Sequence, residues 1–139
     1  MKRIISLAVC LLLLAGCGAT TAEPGISTID WEDHDERVEQ LVIALVNGDF
    51  TIVAEGFDAQ LQKALSVRRL GSAWKGMLRR AGTFIAIVGT ELEPHDEYVI
   101  YNVLTRHQSS GLNVRIVFSD DGLVAGLFFS FITNPEAVF

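Results

Sequence analysis

Proton transfer needs a carboxylate or imidazole held in an apolar pocket where its pKa suits the task. This chain has few groups placed for that work. Within the segments that read as strands, the polar residues are Tyr98, Tyr101, Asn102, Thr105, Arg106 and Arg115. The acids Glu91, Glu93, Asp96, Glu97, Asp120 and Asp121 sit at strand ends or turns, where carboxylates are normally solvated. His107 also closes a strand and His95 sits in a turn, so both read as surface residues. Asp58 is the one acid that could look inward, although its position before an apolar segment is explained by helix capping. Asp30-Trp-Glu-Asp-His-Asp-Glu36 is dense in metal-ligating types, but its spacing matches neither a calcium loop nor a zinc helix. No Gly-rich phosphate loop and no GxSxG elbow occurs anywhere. The residues therefore nominate no catalytic set, no metal site and no cofactor. The best pocket candidates are Trp74, on a helix, with Tyr101 and Asn102, whose side chains alternate so that only one can point inward.

The elements that must position these residues fall into two blocks. Val38, Leu41, Val42, Leu45 and Val46 recur at the i, i+3, i+4, i+7, i+8 spacing of one helix face over Arg37 to Asn47, with Asp33 or Asp35 as N-cap. Asn47-Gly48 ends that helix, and Asp49 is placed to cap a short one from Phe50 to Glu55. Gly56 stops it, Asp58 opens Ala59 to Leu65, and Ser66 opens Val67 to Ala81 with an inner face of Leu70, Ala73, Trp74, Met77, Leu78 and Ala81. That last helix carries Arg68, Arg69, Lys75, Arg79 and Arg80, which suits a solvated face, an anionic partner, or pairing with the acidic stretch Asp30 to Glu39. Strands follow over Thr83 to Glu93, Glu97 to His107, and the two arms of a hairpin around Asp120-Asp121-Gly122. The expected class is α+β, N-terminal helices packed on a four-stranded antiparallel sheet.

The hairpin sets the strongest demand. A three-residue loop ending in Gly122 closes a type I turn with a bulge, setting Ser119 opposite Leu123 and Phe118 opposite Val124. Strict alternation then puts Val114, Ile116, Phe118, Val124, Gly126 and Phe128 on one face, and Arg115, Val117, Leu123, Ala125, Leu127, Phe129 and Phe131 on the other. A four-residue loop would swap the faces of the last strand and leave the same apolar surplus. Helices cover the first face. The second is too apolar for water, so a homodimer through Leu127, Phe129 and Phe131 is expected, one that Leu127→Asp with Phe129→Asp would break.

At the N-terminus, Met1-Lys-Arg and the apolar run Ile4 to Leu14 form a signal-peptide pattern, about half the length of a spanning helix. Leu14-Ala15-Gly16-Cys17 resembles the bacterial lipobox, which implies removal of residues 1–16 and lipidation of Cys17; an ordinary secretory peptide cut near Ala19 or Ala22 is the alternative. Residues 17–29 read as the lipidated Cys and a tether reaching at most ~40 Å, and 30–139 as one domain. The mature domain then has no thiol, which excludes a disulfide, a cysteine zinc site and a Cys nucleophile. Losing the leader takes two of the eleven basic residues and leaves nine against seventeen acidic, a formal charge of −8. Such a domain repels anionic lipid headgroups and phosphate backbones, so nucleic acid is not expected as a partner, and membrane attachment would rest on the acyl chains, not on the protein surface.

Leu45-Val-Asn-Gly-Asp-Phe50, Phe57-Asp58, Leu65-Ser66, Trp74, Gly82-Thr-Phe84 and Val117-Phe-Ser-Asp-Asp-Gly-Leu-Val-Ala-Gly-Leu127 carry, in this order, a resemblance spanning Glu36 to Phe131. The chain resembles a small bacterial domain family of undefined function in the nuclear transport factor 2-like (cone-fold) superfamily, near the SnoaL-like proteins. The resemblance implies a curved sheet wrapped around helices, often with a pocket, and an outer face that packs on a second subunit. It also implies an accessory module, since such domains occur secreted, lipidated or fused to hydrolases, and it brings no agreed catalytic residues. The expected function is a membrane-tethered extracytoplasmic module binding a small apolar ligand or a protein. An isomerase- or cyclase-type enzyme and a purely structural dimerisation module are the alternatives.

Overall fold

The computed structural model describes residues 34–134 and 136. Cys17, the leader and the tether lie outside the described residues. The chain order is α1 (His34–Asn47), α2 (Phe50–Glu55), α3 (Ala59–Ala64), α4 (Val67–Ala81), β1 (Phe84–Pro94), β2 (Tyr98–His107), β3 (Gly111–Ser119) and β4 (Val124–Phe131). The strands form one antiparallel sheet in the order β1-β2-β3-β4, and the helices pack on one of its faces.

The helices start and stop for local reasons. Asp58 Oδ1 accepts from the Leu61 amide at 2.7 Å, and Ser66 Oγ from the Arg69 amide at 3.3 Å, so both act as the N-caps their types suggest. Asp49 stands at the start of α2 but makes no side-chain cap bond. α1 begins at His34, which puts Asp35 inside its first turn rather than at the cap; Asp33 lies outside the described residues. Asp35 instead accepts a hydrogen bond from the Tyr101 hydroxyl at 2.7 Å, tying the helix to β2. The α1 stripe Val38, Leu41, Val42 and Leu45 is fully buried, whereas Val46 is half-buried at the rim. On α4 the buried side is Leu70, Gly71, Trp74 and Ala81. Ala73, expected inside, is exposed. Phe50 of α2 fills the groove at Gly71, where a Cβ would stand 3.0 Å from its ring.

The hairpin forms with the anticipated closure: Phe118 pairs Val124, Ser119 N donates to Leu123 O at 2.9 Å, and Gly122 takes φ +78°. Beyond Val124 the alternation breaks. Val117 pairs Gly126, so Ala125 is an extra residue on β4. That bulge reverses every later side chain. Leu127, Phe129 and Phe131 therefore stand opposite Ile116, Val114 and Leu112, on the helix-covered face, and Phe128 stands opposite Arg115 on the outer one. The expected face assignment of Leu127, Phe129 and Phe131 is thus reversed, which takes those three side chains off the outer face on which the expected dimer was to form. The slip is driven by contacts that claim Val124 from outside the hairpin. Its amide donates to Gly56 O at 2.8 Å and its carbonyl accepts from Asp58 N at 2.9 Å, fastening the α2–α3 link to the start of β4.

The core holds α1, Trp74 of α4 and the inner residues Tyr101, Val103, Leu112, Val114, Ile116, Phe118 and Val124. It also contains Arg37, fully buried, with its guanidinium 4.6 Å from the Phe118 ring centre and a hydrogen bond from Nη2 to the Gly122 carbonyl. Arg37 thereby clips the first turn of α1 to the hairpin turn, a contact 85 residues distant in sequence.

Candidate functional site

The last turn of α1, the end of α4, the start of β1 and the β2–β3 loop converge at one end of the sheet. They enclose a cleft of about 400 Å³ lined by Val46, Leu78, Gly82, Thr83, Phe84 and Gln108. Its frame is backbone: Gly82 N donates to Leu78 O at 2.8 Å, Gln108 N to Thr83 O at 2.9 Å, and Ser109 N to Ala81 O at 2.8 Å. Gly82 is required twice over. Its φ of +83° favours glycine, and a Cβ there would come within 2.8 Å of the Gln108 side chain. The lining is chiefly apolar, holds no ionisable side chain among the described residues, and falls in the size range of small-molecule pockets.

Beside the cleft, Phe84 meets the His107 ring edge-on at 5.6 Å. His107 is fully buried, not the surface residue its place at a strand end suggests. Its Nδ1 faces the Gly82 carbonyl at 3.2 Å and its Nε2 the Thr105 hydroxyl at 3.0 Å, while that hydroxyl also reaches the Leu112 carbonyl at 3.0 Å. A carbonyl only accepts, so the neutral ring that bonds Gly82 carries its proton on Nδ1, and the single Thr105 proton then goes to the Leu112 carbonyl or to Nε2, not to both. Burial lowers the His107 pKa below its ordinary value, and the Gly82 bond opposes part of that shift. The imidazole is thus a buried strut joining the end of α4 to β2 and β3.

The sequence-nominated residues do not share a cavity. Trp74 is buried beneath the helices, 5.1 Å from Phe129 and 6.2 Å from His107 between ring centres, and is a core residue that does not line the cleft. Tyr101 is the inward member of its pair, but it borders a different hollow with Asp35, Glu39, Thr90 and Leu92. Asn102 points outward. It donates to Glu93 at 3.3 Å and accepts from Asn113 at 3.2 Å and Arg115 at 3.3 Å. Arg115 pairs with Glu93 at 2.9 Å, and its guanidinium, followed by the Asn102 amide, holds the Glu93 carboxyl below the usual range. The cleft residues Val46, Thr83 and Gln108 were missed because none carries a chemical signature; only the Gly82-Thr-Phe84 string marked the place. Among the described residues no group of three His, Cys, Asp or Glu could hold a metal ion, and no helix is long and apolar enough to cross a membrane.

A family described as "Protein of unknown function (DUF3887)" matches residues 38–127, from the first buried valine of α1 to Leu127 of β4. The chain belongs to the DUF3887 family. A curated relative is the esterase EstD of Thermotoga maritima, 28% identical over 102 residues, which are 73% of this chain and 25% of the esterase. The chain spans about a quarter of that relative's length. No solved structure matches. The matched DUF3887 segment contains every contact that builds the cleft, from Val46 to Gln108. It also contains most of the sheet's outer face, where Tyr98 is 38% exposed beside the Glu93–Arg115–Asn102 cluster; Phe128, 59% exposed on the same face, lies one residue past the match.

Proposed function

We propose that this DUF3887 protein is a membrane-tethered, extracytoplasmic binding module of the cone-fold, nuclear transport factor 2-like type, whose cleft at Gly82–Phe84 receives a small apolar ligand without transforming it. The observation that carries the reading is the cleft itself: about 400 Å³, chiefly apolar, framed by fixed backbone and, among the described residues, free of ionisable lining. The imidazole of His107 beside it is fully buried, with Gly82 and Thr105 against its nitrogens, so a proton-transfer role would require breaking its contacts. The tether rests on Leu14-Ala15-Gly16-Cys17, with Cys17 the lipidated residue. The relative named an esterase, matched over a quarter of its length, supports an accessory role beside a hydrolase in that longer protein. Native mass spectrometry of the full chain from its own host tests the ligand. The expected result is a small apolar species retained by the wild type and lost in Leu78→Trp, which fills the cleft. Bare wild-type protein, or a ligand retained by Leu78→Trp, overturns it.

Homodimerisation through the outer sheet face remains part of the proposal, carried now by Phe128 and Tyr98, the exposed aromatics there. Phe128→Asp is expected to convert a dimer to a monomer in sedimentation; a wild-type monomer at micromolar concentration removes this element.

A further inference from the structure

Five of the nine Lys and Arg among the described residues stand on α4, and that helix contains no acid. At about 100° per residue, Arg68, Lys75 and Arg79 fall on one line along the helix, some 16 Å from end to end, with Arg69 and Arg80 on the adjacent line. All five are exposed, opposite the buried Leu70, Trp74 and Ala81. Three lean on the domain: Arg69 Nη1 donates to Ala64 O at 3.3 Å, Lys75 Nζ lies 6.0 Å from the centre of the Phe50 ring, and Arg80 lies 4.4 Å from the centre of the Phe131 ring. Between the cations stand only Ser72, Ala73 and Gly76, and the Arg79 guanidinium crosses Gly76, 3.6 Å from where a Cβ would be. Among the described residues the single ion pair is Glu93–Arg115 on the far side of the sheet, so no carboxylate is within pairing distance of the α4 cations. In a chain of formal charge −6 this is a segregated, low-relief, positively charged strip.

We infer that the outward face of α4 lies on the anionic phospholipid headgroups of the membrane to which the chain is tethered. The inference rests on the tethered-module reading for its location, since the tether confines the domain to within ~40 Å of a bilayer. The physical case is charge complementarity. A flat row of cations with small residues between them meets a plane of phosphates closely. The repulsion from distant carboxylates is screened beyond about 8 Å at physiological salt. Each Lys or Arg at such a surface strengthens partition roughly five-fold. Docking this way has a consequence for the cleft: Arg79 and Arg80 stand between Leu78 and Gly82, which line it. The mouth would then open at the bilayer surface, where apolar ligands accumulate.

The test is amine acetylation of Lys75 in the full chain, reconstituted in phosphatidylcholine vesicles with and without 30% phosphatidylglycerol and read by mass spectrometry. Flotation on pure phosphatidylcholine reports the tether separately. The expected result is acetylation of Lys75 slowed five-fold or more by phosphatidylglycerol, restored by 0.5 M NaCl, and no longer slowed in Arg68→Gln with Arg79→Gln, whose partition to the charged surface falls about 25-fold. Equal rates on both vesicles, or full protection in the double variant, overturn the inference. Protection by soluble polyglutamate equal to that by the vesicles would reassign the face to an acidic polypeptide and also overturn it. A chain that fails to float on phosphatidylcholine defeats the tether alone, and its salt-sensitive binding to phosphatidylglycerol would still support the α4 surface.

Discussion

Truncating two adjacent aromatics on β4 should have sharply unequal costs. Phe129 stands opposite Val114 on the helix side, partly buried, with its ring centre 5.1 Å from that of Trp74 and the planes inclined at 59°. Removing a fully buried Phe ring costs about 3–5 kcal/mol, and the aromatic pair supplies about 0.5–1.5 kcal/mol of that. Partial burial brings the expectation for Phe129→Ala to about 2–3 kcal/mol. Phe128, opposite Arg115 and 59% exposed, has little to lose, and Phe128→Ala should cost about 1 kcal/mol or less. Urea unfolding of the full chain, followed by near-ultraviolet circular dichroism, measures both. With a slope of about 1–1.5 kcal/mol per molar for a domain of this size, the midpoints should fall by about 2 M and by less than 1 M. Equal costs, or a greater cost for Phe128→Ala, would mean that β4 runs without its bulge at Ala125 and that the two faces are exchanged.

Further outcomes follow from single contacts. Because His107 has its pKa lowered by burial, the unfolded chain binds a proton more readily than the folded one once the pH drops below about 6.5. Its contribution is therefore complete above that pH and declines as pH falls. The wild-type minus His107→Gln stability difference should fall between pH 7 and 5, and parallel curves would refute the buried strut. Asp58→Ala, which loses the 2.7 Å bond to Leu61 N, should cost about 1 kcal/mol, while Asp49→Ala, with no cap bond to lose, should be near neutral in the same urea titration. Cys17→Ala should abolish incorporation of an alkyne-labelled fatty acid and release the protein from the membrane fraction; retained label would refute lipidation at that residue.

The local grammar of the chain was legible where short-range chemistry decides. Capping by Asp58 and Ser66, the bounds of α4 and the Phe118–Val124 closure all follow from residues within a few positions of one another. The bulge at Ala125 was not legible, because Leu123 to Phe131 is apolar in both parities and offers no alternation for a slip to violate. Its cause, the pairing of Val124 with Gly56 and Asp58, joins segments more than 65 residues apart. The same limit hid Arg37, whose guanidinium is buried under the hairpin turn, and the bond from Tyr101 to Asp35. A strand-end histidine ordinarily meets water; His107 does not, because the end of α4 returns over it and offers the Gly82 carbonyl. The cleft escaped notice for a related reason. Val46, Thr83 and Gln108 acquire meaning only when four elements meet.

The measurement that bears most directly on the account is fluorine NMR of the full chain carrying 4-fluorophenylalanine at position 84 or at position 128, titrated with decanol. Ligand entry beside Gly82 predicts a saturable shift of the Phe84 resonance that disappears in Leu78→Trp, with the Phe128 resonance unmoved. A shift at Phe128 with Phe84 silent would contradict it, placing apolar binding on the outer sheet face and leaving the cleft empty of function.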